Sequence, residues 1–229
     1  MENIFRFKNE DQELYDIEIN FVLNTIDKNS KLDEKTKLII IIPSLIALNA
    51  ISMFKDLIKI YLNKSLTPVT LKEIIYQSVP YIGIARVNDF LKATNDVFLE
   101  LDIKLPLSKN RTVDSSNRYL KGEKIQKEIF GEAIDILKKN TPIEKKHIQD
   151  YLSSNCFGDF YTRKGLTLKE KELITFSTLV SIGCLPNQVK AHIKGNNNIG
   201  NNKDTLIEVV TLLLPFIGYP KTLNALDLI

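Results

Sequence analysis

Three side chains in the C-terminal half of this sequence combine chemical reach with informative spacing: Glu172, Cys184 and His192. A thiol attacks as its thiolate, an imidazole exchanges protons near neutral pH, and a carboxylate can orient that imidazole and raise its basicity. Glu172 and Cys184 are twelve residues apart in sequence. In one continuous helix that is about 18 Å, too far for cooperation. Gly183 and Pro186 resolve this, because Gly ends one helix and Pro suits the first turn of the next. The chain then folds back, and Cys184 lies just ahead of a helix N-terminus, where free amides and the dipole favour thiolate. The pattern predicts a relay in which His192, oriented by Glu172, takes a proton from Cys184. The same residues admit plainer roles: Cys184 as a small buried apolar residue, and His192 as a hydrogen-bonded core histidine between Val189 and Ile193. His147, among Lys145, Lys146 and Gln149, reads as solvent-facing. No short Cys-Cys or His-His spacing joins Cys156, Cys184, His147 and His192, so no metal is expected.

The elements that must position these residues come from an internal repeat. Shifted by 135 positions, residues 33–91 align with 168–226 without a gap. The clearest block is Thr70 to Gly83, TLKEIIYQSVPYIG, against Thr205 to Gly218, TLIEVVTLLLPFIG. The register sets Lys37 opposite Glu172, Asn49 opposite Cys184 and Leu57 opposite His192, so the first copy lacks all three groups. Apolar residues at helical spacing (Leu38, Ile41, Ile42, Leu45, and Leu173, Ile174, Phe176, Leu179, Val180) predict a mostly buried first helix in each copy. Thr70 with Glu73, and Thr205 with Glu208, have capping-box spacing and are expected to open the third helices. Strand signals are scarce, and the fold class is all-α, a tandem duplicated helical bundle. The expected organisation is an N-terminal repeat over 1–105, a linker over 106–117 and a C-terminal repeat over 118–229 that carries the site. Within the last, Arg118 to Asn140 reads as one long helix with Leu120, Ile125, Ile129, Ala133, Ile136 and Leu137 on one face, and GNNNIGNNKD at Gly195 to Asp204 as a polar turn.

Composition narrows the function classes. The chain has 229 residues with 44% hydrophobic and 26% charged, the make-up of an ordinary globular protein. Its 31 Lys+Arg against 28 Asp+Glu leave a net charge of +3, too small and too evenly spread for a nucleic-acid footprint. Two cysteines, with an N-terminus (MENIFRFKNEDQEL) lacking an apolar leader, point to the cytoplasm. The apolar run Leu38 to Phe54 is short, contains Pro43, and reads as a core helix rather than a membrane span. Phosphate-binding glycine loops, dinucleotide fingerprints and nucleophile-elbow serines are absent from the sequence, and no cofactor is expected.

The pattern F-G-D-x-Y-x-R-x-G-L at Phe157 to Leu166, the helix KEKELITFSTLV, Gly183-Cys184 with His192 eight residues later, and the T-L-x-E…P-F-I-G-Y-P block resemble the carboxymuconolactone decarboxylase family. That family shares its fold with the alkylhydroperoxidase D-like proteins. The resemblance covers 118–229 well and 10–105 through the repeat. It implies a helical bundle that assembles as a homotrimer in two-copy members and as a hexamer in single-copy ones. It also implies one of two activities on a small-molecule substrate, the first being the expected function and the second its alternative. One is thiol peroxidase chemistry on hydroperoxides at Cys184, with Glu172 and His192 as relay; Cys156 is the resolving thiol of that reading if folding brings it to Cys184, since the family's own partner cysteine is missing. The other is cofactor-free decarboxylation or lactone processing by Glu172 and His192 as acid and base, with Arg163 or Lys171 holding a substrate carboxylate. A non-catalytic oligomeric scaffold is the third reading. The sequence departs from the alkylhydroperoxidase D pattern in two places: Asn187 stands where a second cysteine would complete Cys-x-x-Cys, and His192 follows Cys184 by eight residues instead of seven.

Overall fold

The structure, a computed structural model, describes Phe5 and residues 7–229. Met1–Ile4 and Arg6, part of the stretch read above for a leader, lie outside the described residues. Among the described residues the chain is helical, with a single isolated bridge between Leu62 and Leu66. The order is α1 (Gln12–Ile19), continued by a π-helical stretch over Asn20–Asp27, then α2 (Glu34–Ala47), α3 (Ile51–Tyr61), α4 (Pro68–Ile82) and α5 (Ile84–Glu100). There follow α6 (Arg118–Phe130), α7 (Ala133–Asn140), α8 (Lys146–Tyr151) with a π-helical continuation over Leu152–Tyr161, α9 (Leu168–Ile182), α10 (Pro186–Asn198) and α11 (Lys203–Leu226). Elements recur 135 residues apart: α3 with α10, α4 with the first half of α11, and a left-handed residue at Asn49 (φ 60°) with another at Cys184 (φ 57°).

Local chemistry explains the helix starts. Asp33, Thr67, Thr167 and Asn202 each accept a hydrogen bond from the amide three residues on, and Pro68 and Pro186 occupy first turns. The third helices therefore begin one turn before the Thr70 and Thr205 starts read from sequence. The full capping box is instead Thr167 with Glu170. Glu73 and Glu208 are thereby free for long-range work. Glu208 Oε1 accepts from Ser30 Oγ (2.8 Å) and from the amides of Lys31 and Leu32, while Glu73 takes the Arg163 guanidinium at 2.8 and 2.9 Å. Each glutamate grips the strap that leads into the other half's first long helix.

The halves cross over in the same sense throughout. α2 packs on α9 at the centre, α4 of the first half also lies against α9, and α11 of the second lies against α2. The segments expected as separate repeats thus share one hydrophobic core, running from Ile26, Ile39 and Phe54 through Phe90 to Ile174, Phe176 and Leu213. The run Leu38 to Phe54 forms α2 and the start of α3 inside that core. The linker is pinned to both halves: Asn110 Nδ2 donates to Glu73, the Lys164 amide to the Asn110 carbonyl, and Thr112 Oγ1 to the Thr162 carbonyl. By length and composition α11 could cross a membrane, yet it is two helices meeting at Gly218 (φ 75°, ψ 166°) and contributes Leu206, Val209 and Leu213 to the core.

The long helix read over Arg118 to Asn140 is two. Gly131, at φ 64°, stops α6 after Phe130, which leaves Leu120, Ile136 and Leu137 exposed while Ile129 and Ile134 are buried. α6 crosses the π-helical Leu152–Tyr161 stretch so tightly that a Cβ at Gly122 would stand 1.9 Å from the Ser153 carbonyl oxygen.

Candidate active site

α9 carries Glu172 on its second turn and Thr175 almost one turn later. α10 brings His192 across from the fold-back, the π-helical stretch supplies Tyr161 and Cys156, and α4 of the first half supplies Tyr81 and Gln77. These side chains make one buried polar network. His192 Nδ1 and Glu172 Oε2 are 2.7 Å apart, and Tyr161 Oη donates to Glu172 Oε1 at 2.6 Å. Tyr161 Oη also lies 2.8 Å from Thr175 Oγ1 and 2.9 Å from Tyr81 Oη, Gln77 Nε2 donates to Thr175 Oγ1, and the Cys156 thiol reaches Tyr81 Oη at 3.8 Å.

Both Glu172 oxygens are therefore engaged by donors, the arrangement suited to a carboxylate. The neighbouring hydroxyls and thiol stay neutral. Burial first, then the neighbouring Cys156 and Glu172, keeps the Tyr81 hydroxyl protonated well above the ordinary tyrosine range; burial, then Glu172 and Tyr81, does so for Tyr161. Burial pushes the Cys156 thiol up to about 12. The carboxylate selects the Nδ1–H tautomer of His192, which leaves Nε2 as the atom that can take or give a proton. His192 is also the member that keeps some exposure, 8% against 0% for Glu172. Its ring is fixed edge-on by Phe130 at 5.3 Å and Tyr81 at 5.6 Å.

The asparagine-rich stretch read as a polar turn is the scaffold of this pair. α10 continues through Asn198, and Asn196 Nδ2 donates to the carbonyls of His192 (2.7 Å) and Glu172 (3.3 Å). Asn201 holds Asn196 at 2.8 Å, and Asn198 fastens α10 to the Ile129 carbonyl at the end of α6. Gly195 leaves room for this approach: a Cβ there would lie 2.7 Å from Ile129 Cγ2 and 3.2 Å from Glu172 Oε2. Composition alone gave no signal for these roles, because Asn and Gly are also the residues of turns.

Several expected site residues fall elsewhere. Gly183 and Pro186 do turn the chain, but Cys184 is exposed and lines a cavity of about 590 Å³ with Leu179, Val180, Val189 and Lys221. Among the described residues it makes no hydrogen bond to His192 or Glu172, so the three-residue relay is not assembled. The physical reason is helical spacing. The residue one turn ahead of His192 on the same face of α10 is Gln188, whereas Cys184 precedes the helix altogether. Cys156, read as a resolving thiol, is buried against Tyr81 inside the network, away from the Cys184 cavity. Arg163 and Lys171, read as carboxylate binders, are already occupied. Arg163 is paired with Glu73 and stacked 4.6 Å from the Tyr76 ring. Lys171 is buried and donates to the carbonyls of Tyr161 (2.6 Å) and Arg163 (2.5 Å), and burial lowers its ammonium to about 8. Among the described residues no group of three or more His, Cys, Asp or Glu is placed to hold a metal ion. His147 is exposed and sits edge-on to Tyr151.

Fold and site together define an all-helical protein with a buried, hydroxyl-supported carboxylate–imidazole pair. Residues 147–229 match the model of the carboxymuconolactone decarboxylase family. A relative, the 4-carboxymuconolactone decarboxylase of Acinetobacter baylyi, is 23% identical over 117 residues, covering 51% of this chain and 87% of that protein. The matched family segment holds Glu172, His192, Tyr161, Thr175 and Cys156, while Tyr81, Gln77 and Phe130 come from outside it.

Proposed function

We propose that this protein is a cofactor-free acid/base enzyme acting on a small carboxylated substrate, in the manner of a lactone decarboxylase. The observation that carries the reading is the 2.7 Å contact between Glu172 Oε2 and His192 Nδ1, with Tyr161 on the other carboxylate oxygen. The relative's name supplies the substrate class. In the decarboxylating step the carbon–carboxylate bond breaks, its electron pair moves into a conjugated carbonyl of the substrate, and carbon dioxide leaves. Protonated His192 then delivers the Nε2 proton to the carbon, and Glu172 stabilises the imidazolium that precedes this transfer. Tyr161 and Thr175 are positioning residues that hold Glu172 in one orientation.

The test is carbon dioxide release from a carboxylated muconolactone by the full chain and by His192→Ala, Glu172→Gln and Cys184→Ser. The expected result is loss in the first two and retention in the third. Retained release in His192→Ala overturns the proposal, and hydroperoxide consumption that vanishes in Cys184→Ser would return the thiol chemistry to first place.

The 135-residue recurrence and the crossed packing further support a duplicated origin with only the second copy active, assembled as a homotrimer. Exposed apolar side chains at Ile84 and at its counterpart Tyr219, with Ile136 and Ile143, supply surface for that assembly. Light scattering that gives the 26.2 kDa monomer mass at micromolar concentration would end the assembly proposal.

A further inference from the structure

Away from the Glu172–His192 network, the interior ammonium of Lys72 lacks a carboxylate partner among the described residues. Lys72, on the second turn of α4, is 7% exposed and forms no ion pair among the described residues. Its ammonium donates to Asn95 on α5 and lies 5.5 Å from the centroid of the Phe98 ring, which leaves donor capacity unused. Burial lowers its pKa, as befits an ammonium without a carboxylate. The contrast with Lys171 is direct, since that lysine spends two donors on carbonyl oxygens.

Lys72 lines a cavity of about 720 Å³ enclosed by α4, α5 and the segment 105–111. Its walls are apolar at Val69, Leu91, Leu105 and Leu107. Glu73 is the only carboxylate among the lining residues, and Arg163 and Asn110 already hold both of its oxygens. The exposed Lys109 and Arg111 add positive charge at the rim. The position 135 residues on from Lys72 is Ile207, so the matching cavity on the other half has an apolar side chain in that place, its lysine being the exposed Lys31.

We propose that this cavity binds a small organic anion, with Lys72 taking its carboxylate and Val69, Leu91 and Leu107 enclosing an apolar body. An apolar wall around one buried, under-used ammonium fits such a ligand better than a bare inorganic anion, because only the former satisfies both surfaces. The site is separate from the acid/base pair and stands whether or not that pair catalyses decarboxylation.

The test is calorimetric titration of the full chain with benzoate, benzyl alcohol and inorganic phosphate. The wild type should bind benzoate saturably, with benzyl alcohol weaker by about tenfold or more, the worth of one charge-assisted bond, and phosphate weaker by about as much because it leaves the apolar wall uncovered. Lys72→Met should lose about tenfold for benzoate and nothing for benzyl alcohol. His192→Ala should bind benzoate as the wild type does, which separates this site from the catalytic one. Leu91→Trp, which fills the cavity from a half-buried position, should abolish benzoate binding and serves if Lys72→Met does not fold. The proposal is overturned if benzoate does not bind, binds no tighter than benzyl alcohol, or keeps its affinity in Lys72→Met or Leu91→Trp.

Discussion

The two helical halves place opposite chemistry at matching positions. In the second half the chain lays Tyr161, Glu172, Thr175, His192 and Asn196 around one buried point; 135 residues earlier the same positions read Ile26, Lys37, Ile40, Leu57 and Tyr61. The crossed helices follow suit, with Tyr81 and Gln77 facing the polar point and Phe216 and Leu212 as their counterparts. Ile26, Ile40, Leu57 and Leu212 are all buried hydrocarbon in the main core. Lys37, in the place of Glu172, pairs instead with Asp27 at 2.6 Å. One position set closes with dispersion and hydrophobic burial, the other with hydrogen bonds that must all be made. The lesson concerns tolerance: the apolar version absorbs single changes of similar volume, whereas each deletion in the polar version strands a partner.

That contrast breaks most sharply at the pair itself. His192→Leu copies Leu57 into the polar half and leaves Glu172 buried with one donor gone; it should cost about 3 kcal/mol in urea unfolding and lower decarboxylation by about a hundredfold or more. Adding Glu172→Leu should recover most of the stability and none of the activity, because well-packed hydrocarbon replaces a buried ion pair with little penalty. A double variant as unstable as the single would refute the view that the two sets are interchangeable packing solutions.

Gly195→Ala should come next, at about 1–3 kcal/mol, because its methyl group meets Ile129, Phe130 and Glu172. The counterpart change at Ile60, to Val, should stay under about 1.5 kcal/mol by the same unfolding assay. Tyr161→Phe removes the donor on Glu172 Oε1 at nearly constant shape and should cost about 1–2 kcal/mol, with a fall in kcat and an unchanged KM.

The smallest effect is a pH slope. The Cys156 thiol ionises near 9.0 when unfolded and near about 12 when folded, so the unfolded chain alone releases its proton between those values and stability falls as pH rises through that window. Lys171 acts in the opposite sense: its folded value of about 8 lies below 10.5, so its burial cost is relieved as pH rises between the two. Cys156→Ala should therefore flatten the alkaline loss in thermal melts, and Lys171→Met should steepen it. Identical slopes for wild type and Cys156→Ala would show that the thiol is not held neutral by its surroundings.

Much of this was legible in the residues. The 3.6-residue spacing of Leu38, Ile41, Ile42 and Leu45, the proline after Leu185, and the 135-residue register mark helices, a start and the recurrence by local rules alone. The same register singled out Glu172 and His192 by their loss in the first half. Helix starts were misplaced at Thr70 and Thr205 because Ser, Thr and Asn caps compete over one turn, and Thr67 and Asn202 offer equivalent oxygens. Gly131 was passed over because the apolar spacing continues across it.

What the sequence by itself determined, then, is the helices, their recurrence in register and the reactive residues available, since these depend on periodicity and on groups within a few residues of one another. Only the tertiary structure decided which of them meet. It took α4 from the first half to bring Tyr81 to Tyr161 and Gln77 to Thr175, the reach of Arg163 to Glu73 to withdraw that cation from ligand binding, and the start of α10 beyond Cys184 to leave the thiol outside. Those contacts join residues up to 98 positions apart, and buried polar groups take partners from wherever the packing supplies them.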